Sequence, residues 1–199
     1  MYRMLAFLLL AFFVASCKSE ATSEVAEEAT VDLSLSVQQL SDHVQHSLPV
    51  LTTYSESAVR AGEKGEALPV PTAVENEIDN VVKQTNAFLN ECGVSDSEIT
   101  EIFDDSLDSR LYYVGLYFTA VQTTAFSQTR LTWGDVGDCL LEAIGFEDFA
   151  VIAEMIRGRF AKKVAQRVAL QAIKRVAGPA AIAWTAAEFG YCLIKAEFL

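Results

Sequence analysis

Pro69-Val70-Pro71-Thr72-Ala73-Val74-Glu75-Asn76-Glu77-Ile78-Asp79-Asn80-Val81-Val82-Lys83-Gln84-Thr85-Asn86-Ala87-Phe88-Leu89-Asn90-Glu91-Cys92-Gly93 carries the start, the buried face and the end of one helix. Thr72 and Glu75 stand at the spacing of a capping box, whose hydroxyl and carboxylate satisfy amides that a helix start leaves free. Val74, Ile78, Val81, Val82, Thr85 and Leu89 recur at three- and four-residue intervals, which line one helix face. Gly93 supplies the left-handed residue that commonly ends a helix.

The same signs continue on both sides. Ser95-Asp96-Ser97-Glu98 forms a second capping box. Residues 111–126 are rich in Tyr and Phe. Those types favour strands, but the length and the helical neighbours predict a buried helix. Thr132 is placed to cap a helix running through Ile144, with Gly145 ending it. A long helical period covers 147–177, with a weak point at Gly158. Gly178-Pro179 stops it, and Pro179 can open a last helix. Upstream, Val37, Leu40, Val44, Leu48 and Leu51 mark 33–60 as helical, with Pro49 expected to kink or break it. Proline is scarce, no repeat divides the chain, and alanine enriches the last third, a helix-favouring composition. The fold class expected is all-α, a compact bundle of roughly six to eight helices. It occupies 32–199 as a single domain, long enough for a real core.

Charge is divided unevenly along this bundle. Residues 18–110 hold 19 acidic against 5 basic side chains. Between Arg157 and Arg175 there are seven basic residues and no acid: Arg157, Arg159, Lys162, Lys163, Arg167, Lys174 and Arg175. Ile152, Ile156, Phe160, Val164, Val168, Ala172 and Val176 run beside them, so the segment reads as a basic amphipathic helix. Such a helix suits a membrane surface or a protein partner. It equally suits a solvated face, or one turned toward the acidic half of the same chain. Nucleic acid is excluded as a partner, because the net charge of −12 repels phosphate. Residues 179–199 are apolar, with small residues four apart at Ala183/Ala187 and Ala186/Gly190. Glu188 lies near the middle, where a carboxylate is costly in a bilayer, so a core helix is expected rather than a membrane segment.

Sites of chemistry are sparse. His43 and His46, beside Asp42, have helical spacing for two metal ligands, but no further ligand is evident, so no metal is assigned. Asp135, Asp138 and Glu142, and likewise Glu101, Asp105 and Asp108, read as solvated acidic faces rather than calcium cages. No phosphate-binding glycine loop, nucleophile elbow or zincin motif is present, and no catalytic residue or cofactor is assigned. Of the cysteines, Cys139 and Cys192 each sit among apolar residues and are the favoured disulfide pair, with Cys92 the odd thiol. Buried free thiols are the alternative.

Residues 5–14 are apolar and are followed by Val14-Ala15-Ser16-Cys17. The apolar run is too short to span a bilayer and fits the middle of a secretory signal. The four residues resemble the lipobox of bacterial lipoproteins. The resemblance implies a signal peptide at 1–16, removed before Cys17, with diacylglyceryl on the Cys17 thiol and an acyl chain on the new amino terminus. Lys18, in place of Asp, points to the outer membrane by the sorting habit of enteric bacteria. Lys18-Ser19-Glu20 weakly resembles the export signals of Bacteroidetes surface lipoproteins, and the membrane face stays open. Residues 17–31 then form a lipidated, disordered tether. The segment 18–31 is acidic and poor in large apolar groups, and reaches roughly 45–50 Å when extended.

The expected function is a lipid-anchored cell-envelope protein that binds, as an accessory module, an envelope protein partner. One alternative is a membrane-active protein using 157–199, a segment similar in composition to helical bacteriocins and pore formers. Another is an envelope hydrolase of unfamiliar type.

Overall fold

Packing centres on a helix with almost no polar face. In the computed structural model, which describes residues 34–126, 138, 139, 141–143, 145 and 162–198, every residue from Leu111 to Ala120 is buried. Six helices are defined among these residues: α1 (Ser34–Gly62), α2 (Thr72–Glu91), α3 (Asp96–Phe103), α4 (Leu111–Phe126), α5 (Lys162–Ala172) and α6 (Pro179–Phe198). Residues 138, 139 and 141–143 are helical as well, and the described residues contain no strand. The protein is an all-α bundle. Helix α4 packs against α1, α2, α5 and α6, and α1 packs in turn against α2 and α6. The buried cluster runs from Val37 on α1 to Phe189 on α6.

Helices α1 and α2 are antiparallel, since Ser36 near the start of α1 bonds Glu91 at the end of α2. The α2 face is the one its spacing predicts: Val74, Ile78, Val81, Val82, Thr85 and Leu89 are buried, together with Phe88. Its C-terminus is a Schellman motif. The Gly93 amide donates to the Asn90 carbonyl at 2.9 Å and the Val94 amide to the Leu89 carbonyl at 2.9 Å, with Gly93 at φ 87°. Leu89 and Val94, which the motif brings together, are both fully buried.

Gly115 permits the closest approach at the centre. A Cβ there would run into Thr85 Oγ1 and come within 3.2 Å of Val81 and 3.4 Å of Leu40. Thr85 cannot turn away cheaply, because its hydroxyl donates to the Val81 carbonyl at 2.8 Å. Two buried tyrosines of α4 find polar partners: Tyr112 Oη lies 2.8 Å from Ser47 Oγ on α1, and Tyr113 donates to the Val176 carbonyl at 3.0 Å.

Three expectations need correction. Thr72 is not an N-cap. Pro71 occupies that position with no side-chain bond, and its carbonyl accepts from the Val74 and Glu75 amides. The preceding proline takes the extended conformation a cap requires, so the helix begins one residue earlier than a threonine cap would place it. Of the kink or break expected at Pro49, the break does not occur, since α1 is continuous from Ser34 to Gly62; Thr53 Oγ1 donates to the Pro49 carbonyl at 2.8 Å. Helix α5 ends at Ala172 rather than 177. The carbonyls beyond that point are taken from outside the helix, Ile173 by Arg110 at 3.2 Å and Val176 by Tyr113. The small residues facing the core are Ala183 and Ala186, flanked by buried Ile182 and Phe189. The opposite face of α6 exposes Trp184, Tyr191 and Ile194. Trp184 Nε1 donates to Glu188 at 2.7 Å on that exposed side.

The second capping box forms as read. Ser95 Oγ accepts from the Glu98 amide at 3.4 Å, and the Ser95 amide donates to Glu98 Oε2 at 2.9 Å.

Candidate functional site

The basic segment is the natural place to look for a binding surface. Arg157 and Arg159, with the helical period before Lys162, lie outside the described residues, as does Cys17. The remaining five cations divide into two groups. Lys162 and Arg175, at the two ends, turn toward the body. Lys162 Nζ lies 2.7 Å from Glu98 Oε1, and Gln166 Nε2 donates to the same oxygen at 3.1 Å. One carboxylate therefore caps α3 with one oxygen and holds α5 with the other. The Lys162 ammonium, and after it the Ser95 amide and hydroxyl, hold Glu98 down at about 2. Arg175 donates to the Gly145 carbonyl at 2.9 Å. Gly145, at φ 62°, leaves no room there for a side chain beneath the guanidinium. Arg175 Nε is buried with no hydrogen-bond partner among the described residues.

Lys163, Arg167 and Lys174 point outward and are exposed, with Leu170 between them, half exposed. Residues 163, 167 and 170 share one face of α5, and Lys174 follows in the turn after the helix. The inner face of α5, Val164, Ala165, Val168, Ala169 and Ala172, is buried. The amphipathic reading of the segment holds for the described turns, and the outward stripe is a cationic band with an apolar centre.

A second surface is a groove of about 630 Å³ beside Pro49 on α1. Val50, Thr53, Tyr54 and Ser57 of α1 form one wall; Leu68, Pro71, Ala73 and Val74 form the other. No charged side chain lines it. Thr53 and Ser57 spend their hydroxyls on carbonyls of their own helix, and Tyr54 reaches the Leu68 carbonyl at 3.4 Å. Its volume falls in the range of small-molecule sites. The loop and helix positions that build it carried no motif. Proline inside a helix is the one local sign.

The other sequence candidates are not assembled into sites. His43 and His46 share a shallow depression with Gln39 and Asp42. His46 Nε2 lies 3.9 Å from Glu77 on α2. No group of three or more metal-ligating residues that could hold an ion occurs among the described residues. Asp138 and Glu142 are exposed, and Asp135 lies outside the described residues. Asp108 belongs to a structural pair with Arg110, which binds it through two nitrogens at 2.8 and 2.7 Å. Arg110 also reaches the carbonyls of Phe103 and Ile173, each at 3.2 Å, and stacks over the Phe103 ring at 5.6 Å. Burial pushes the Asp108 carboxyl up, but the hydrogen bonds and charge of Arg110 outweigh it and the net shift is downward. Nothing in the sequence singled out Arg110, since its partners converge from three elements.

Cys139 and Cys192 are joined, with Cα atoms 5.5 Å apart. The bond ties residues 138–143 to the end of α6. Cys92 is a buried free thiol. Burial, with a smaller contribution from Glu91, pushes it up to about 12, which suits packing and not nucleophilic chemistry. No helix among the described residues is long and apolar enough to cross a membrane. Comparison with protein-family models, with curated proteins and with solved structures yields no match to this chain.

Proposed function

We propose that the protein is a lipid-anchored component of a bacterial cell envelope whose helical body works as a binding or accessory module. The observation that carries this reading is Val14-Ala15-Ser16-Cys17, placed after an apolar run and before an acidic stretch that leads into the folded helices. Two or three acyl chains at Cys17 would give anchoring that one chain alone does not. Lys18 favours the outer membrane. The uncharged groove and the outward face of α5 are the two surfaces such a module offers to an envelope protein or to the membrane.

The test is mass spectrometry of the N-terminal peptide of the protein purified from membranes, paired with Cys17→Ser. The expected result is a peptide that begins at Cys17 and carries the mass of diacylglyceryl and an acyl chain. Cys17→Ser should abolish that modification. An unmodified Cys17 still joined to residues 1–16 would sink the anchor reading.

A further inference from the structure

We propose that the outward cationic band formed by Lys163, Arg167 and Leu170 of α5 and by Lys174 in the turn that follows lies on the anionic headgroup surface of the membrane to which the protein is attached. The proposal deepens the reading above, and rests on it for which membrane is met.

Three observations converge on this face. First, Lys163, Arg167 and Leu170 share one exposed face of α5, Lys174 is exposed in the turn that follows, and the segment 157–175 contains no acidic residue. The neighbouring cations at its ends are already committed, Lys162 to Glu98 and Arg175 to the Gly145 carbonyl. Lys163 and Arg167 make no hydrogen bond or ion pair among the described residues, and Lys174 reaches only the neutral Gln171, at 3.0 Å. These charges are therefore available to an external anion.

Second, the chain arrives at the end of the bundle where the stripe begins. Ser36, at the start of α1, bonds Glu91 at the end of α2. Two residues on, Gly93 faces Lys162, with a Cβ position 3.9 Å from the lysine stem. The first turn of α1 and the first turn of α5 are thus linked through the α2 terminus. Sixteen residues lie between Cys17 and Ser34, a reach of at most roughly 55–60 Å. The helical part of the band, from Lys163 to Leu170, is only about 11 Å long, so a lipid at Cys17 leaves ample chain for it to lie flat.

Third, charge selects this orientation. Residues 18–110 carry a net charge of −14 and would be repelled by an anionic surface. Leu170, 50 % exposed in the middle of the stripe, can enter the headgroup layer while the three cations stay among the phosphates. The lipid then supplies one attachment and the stripe a second, which also fixes which side of the body faces outward.

The experiment uses the chain from Lys18 onward, which retains every residue of the buried cluster, the first being Val37. It should sediment with vesicles containing phosphatidylglycerol and not with pure phosphatidylcholine vesicles, and added salt should weaken the association. Combined Lys163→Gln, Arg167→Gln and Lys174→Gln should lower the affinity on the order of 100-fold, about fivefold for each charge. Leu170→Ser should lower it less. The far-ultraviolet circular dichroism of each variant should match the parent, because all four positions are exposed. Equal binding to both vesicle types, no binding to either, or full binding by the triple variant would overturn the proposal. So would salt-sensitive self-association lost in the triple variant without vesicle binding, which would assign the stripe to the acidic side of a second copy. Because this chain lacks Cys17, failure here leaves the lipid mass at Cys17 standing, and an unmodified Cys17 leaves the vesicle result standing.

A second arm uses the lipidated full-length product reconstituted in the same two vesicle types. Lys163 and Lys174 should be protected from a membrane-impermeant acylating reagent on the anionic vesicles alone. Equal labelling on both would count against the proposal.

Discussion

The half of the chain from α1 to α4 and the half containing α5 and α6 hold their charges in different ways. In the first, carboxylates work locally. Glu98 closes a capping box, Asp105 accepts from the Leu107 amide at 3.0 Å, and Asp108 accepts from the Arg110 amide at 2.8 Å. These bonds end helices and shape turns, and the interior between them is filled by Phe88, Phe103, Tyr112 and Phe118. In the second half, the cations at the ends of the basic run bind other elements, and those between face outward. The second half is also joined by a covalent bond, Cys139–Cys192. The contrast teaches that the sign of a segment's charge says little about its use. What matters is whether each charge lies within reach of a backbone terminus or a neighbouring element.

Breaking the disulfide tests the contrast most severely. It closes a 53-residue separation, worth about 4 kcal/mol in the chain-entropy model. Combined Cys139→Ser and Cys192→Ser should lower unfolding stability by that order in urea titrations. The rise in amide exchange should be concentrated in α6, with the Gly93 and Val94 amides of the Schellman motif changing least. Uniform loss of protection would show that the two halves are not separately held.

Next in size is Arg110→Met. It strands the mostly buried Asp108 carboxylate and leaves the Phe103 and Ile173 carbonyls without their donor, at a cost of about 3 kcal/mol. The pH dependence carries a sign. Asp108 is depressed in the folded state, so its contribution is present above the ordinary carboxylate range and is lost as pH falls through the lower folded value. The parent should lose stability in acid more steeply than Arg110→Met, as followed by thermal melts across that range.

The smallest effects distinguish adjacent lysines. Lys162→Met removes the main cause holding Glu98 down at about 2. The Glu98 carboxyl should then titrate closer to its ordinary value, which carbon-detected NMR can follow. Lys163→Met, one residue on and exposed, should leave that titration alone and change stability by less than about 0.5 kcal/mol. Similar responses to the two substitutions would dissolve the division of the basic run into inward and outward groups.

The helices were largely legible in the sequence because their signals are local. The α2 face follows from three- and four-residue spacing, the α3 start from Ser95 and Glu98, and the α6 start from Gly178-Pro179. The misreadings share a cause: something outside the local pattern prevailed. Pro71 displaced Thr72 as N-cap, and the continuous α1 accommodates Pro49. Arg110 and Tyr113, from the α4 region, took the carbonyls that would have extended α5 to 177. The binding surfaces were half legible. The basic run could be counted, but which of its charges face outward could not be. The groove beside Pro49 was not legible, because its walls, 49–57 and 68–74, are of unremarkable type and meet only through the packing of α1 against the start of α2.

The sequence by itself determined an all-α body and an acidic half set against a basic run. It also yielded the lipobox resemblance at Cys17, because periodicity, caps and composition are properties of neighbouring residues. Tertiary structure alone decided that Lys162 and Arg175 stay with the fold while Lys163, Arg167 and Lys174 do not. It alone brought the start of α1 and the start of α5 to the same end of α2. Those are matters of distance between segments, fixed only when the aromatic face of α4 draws the other helices around it.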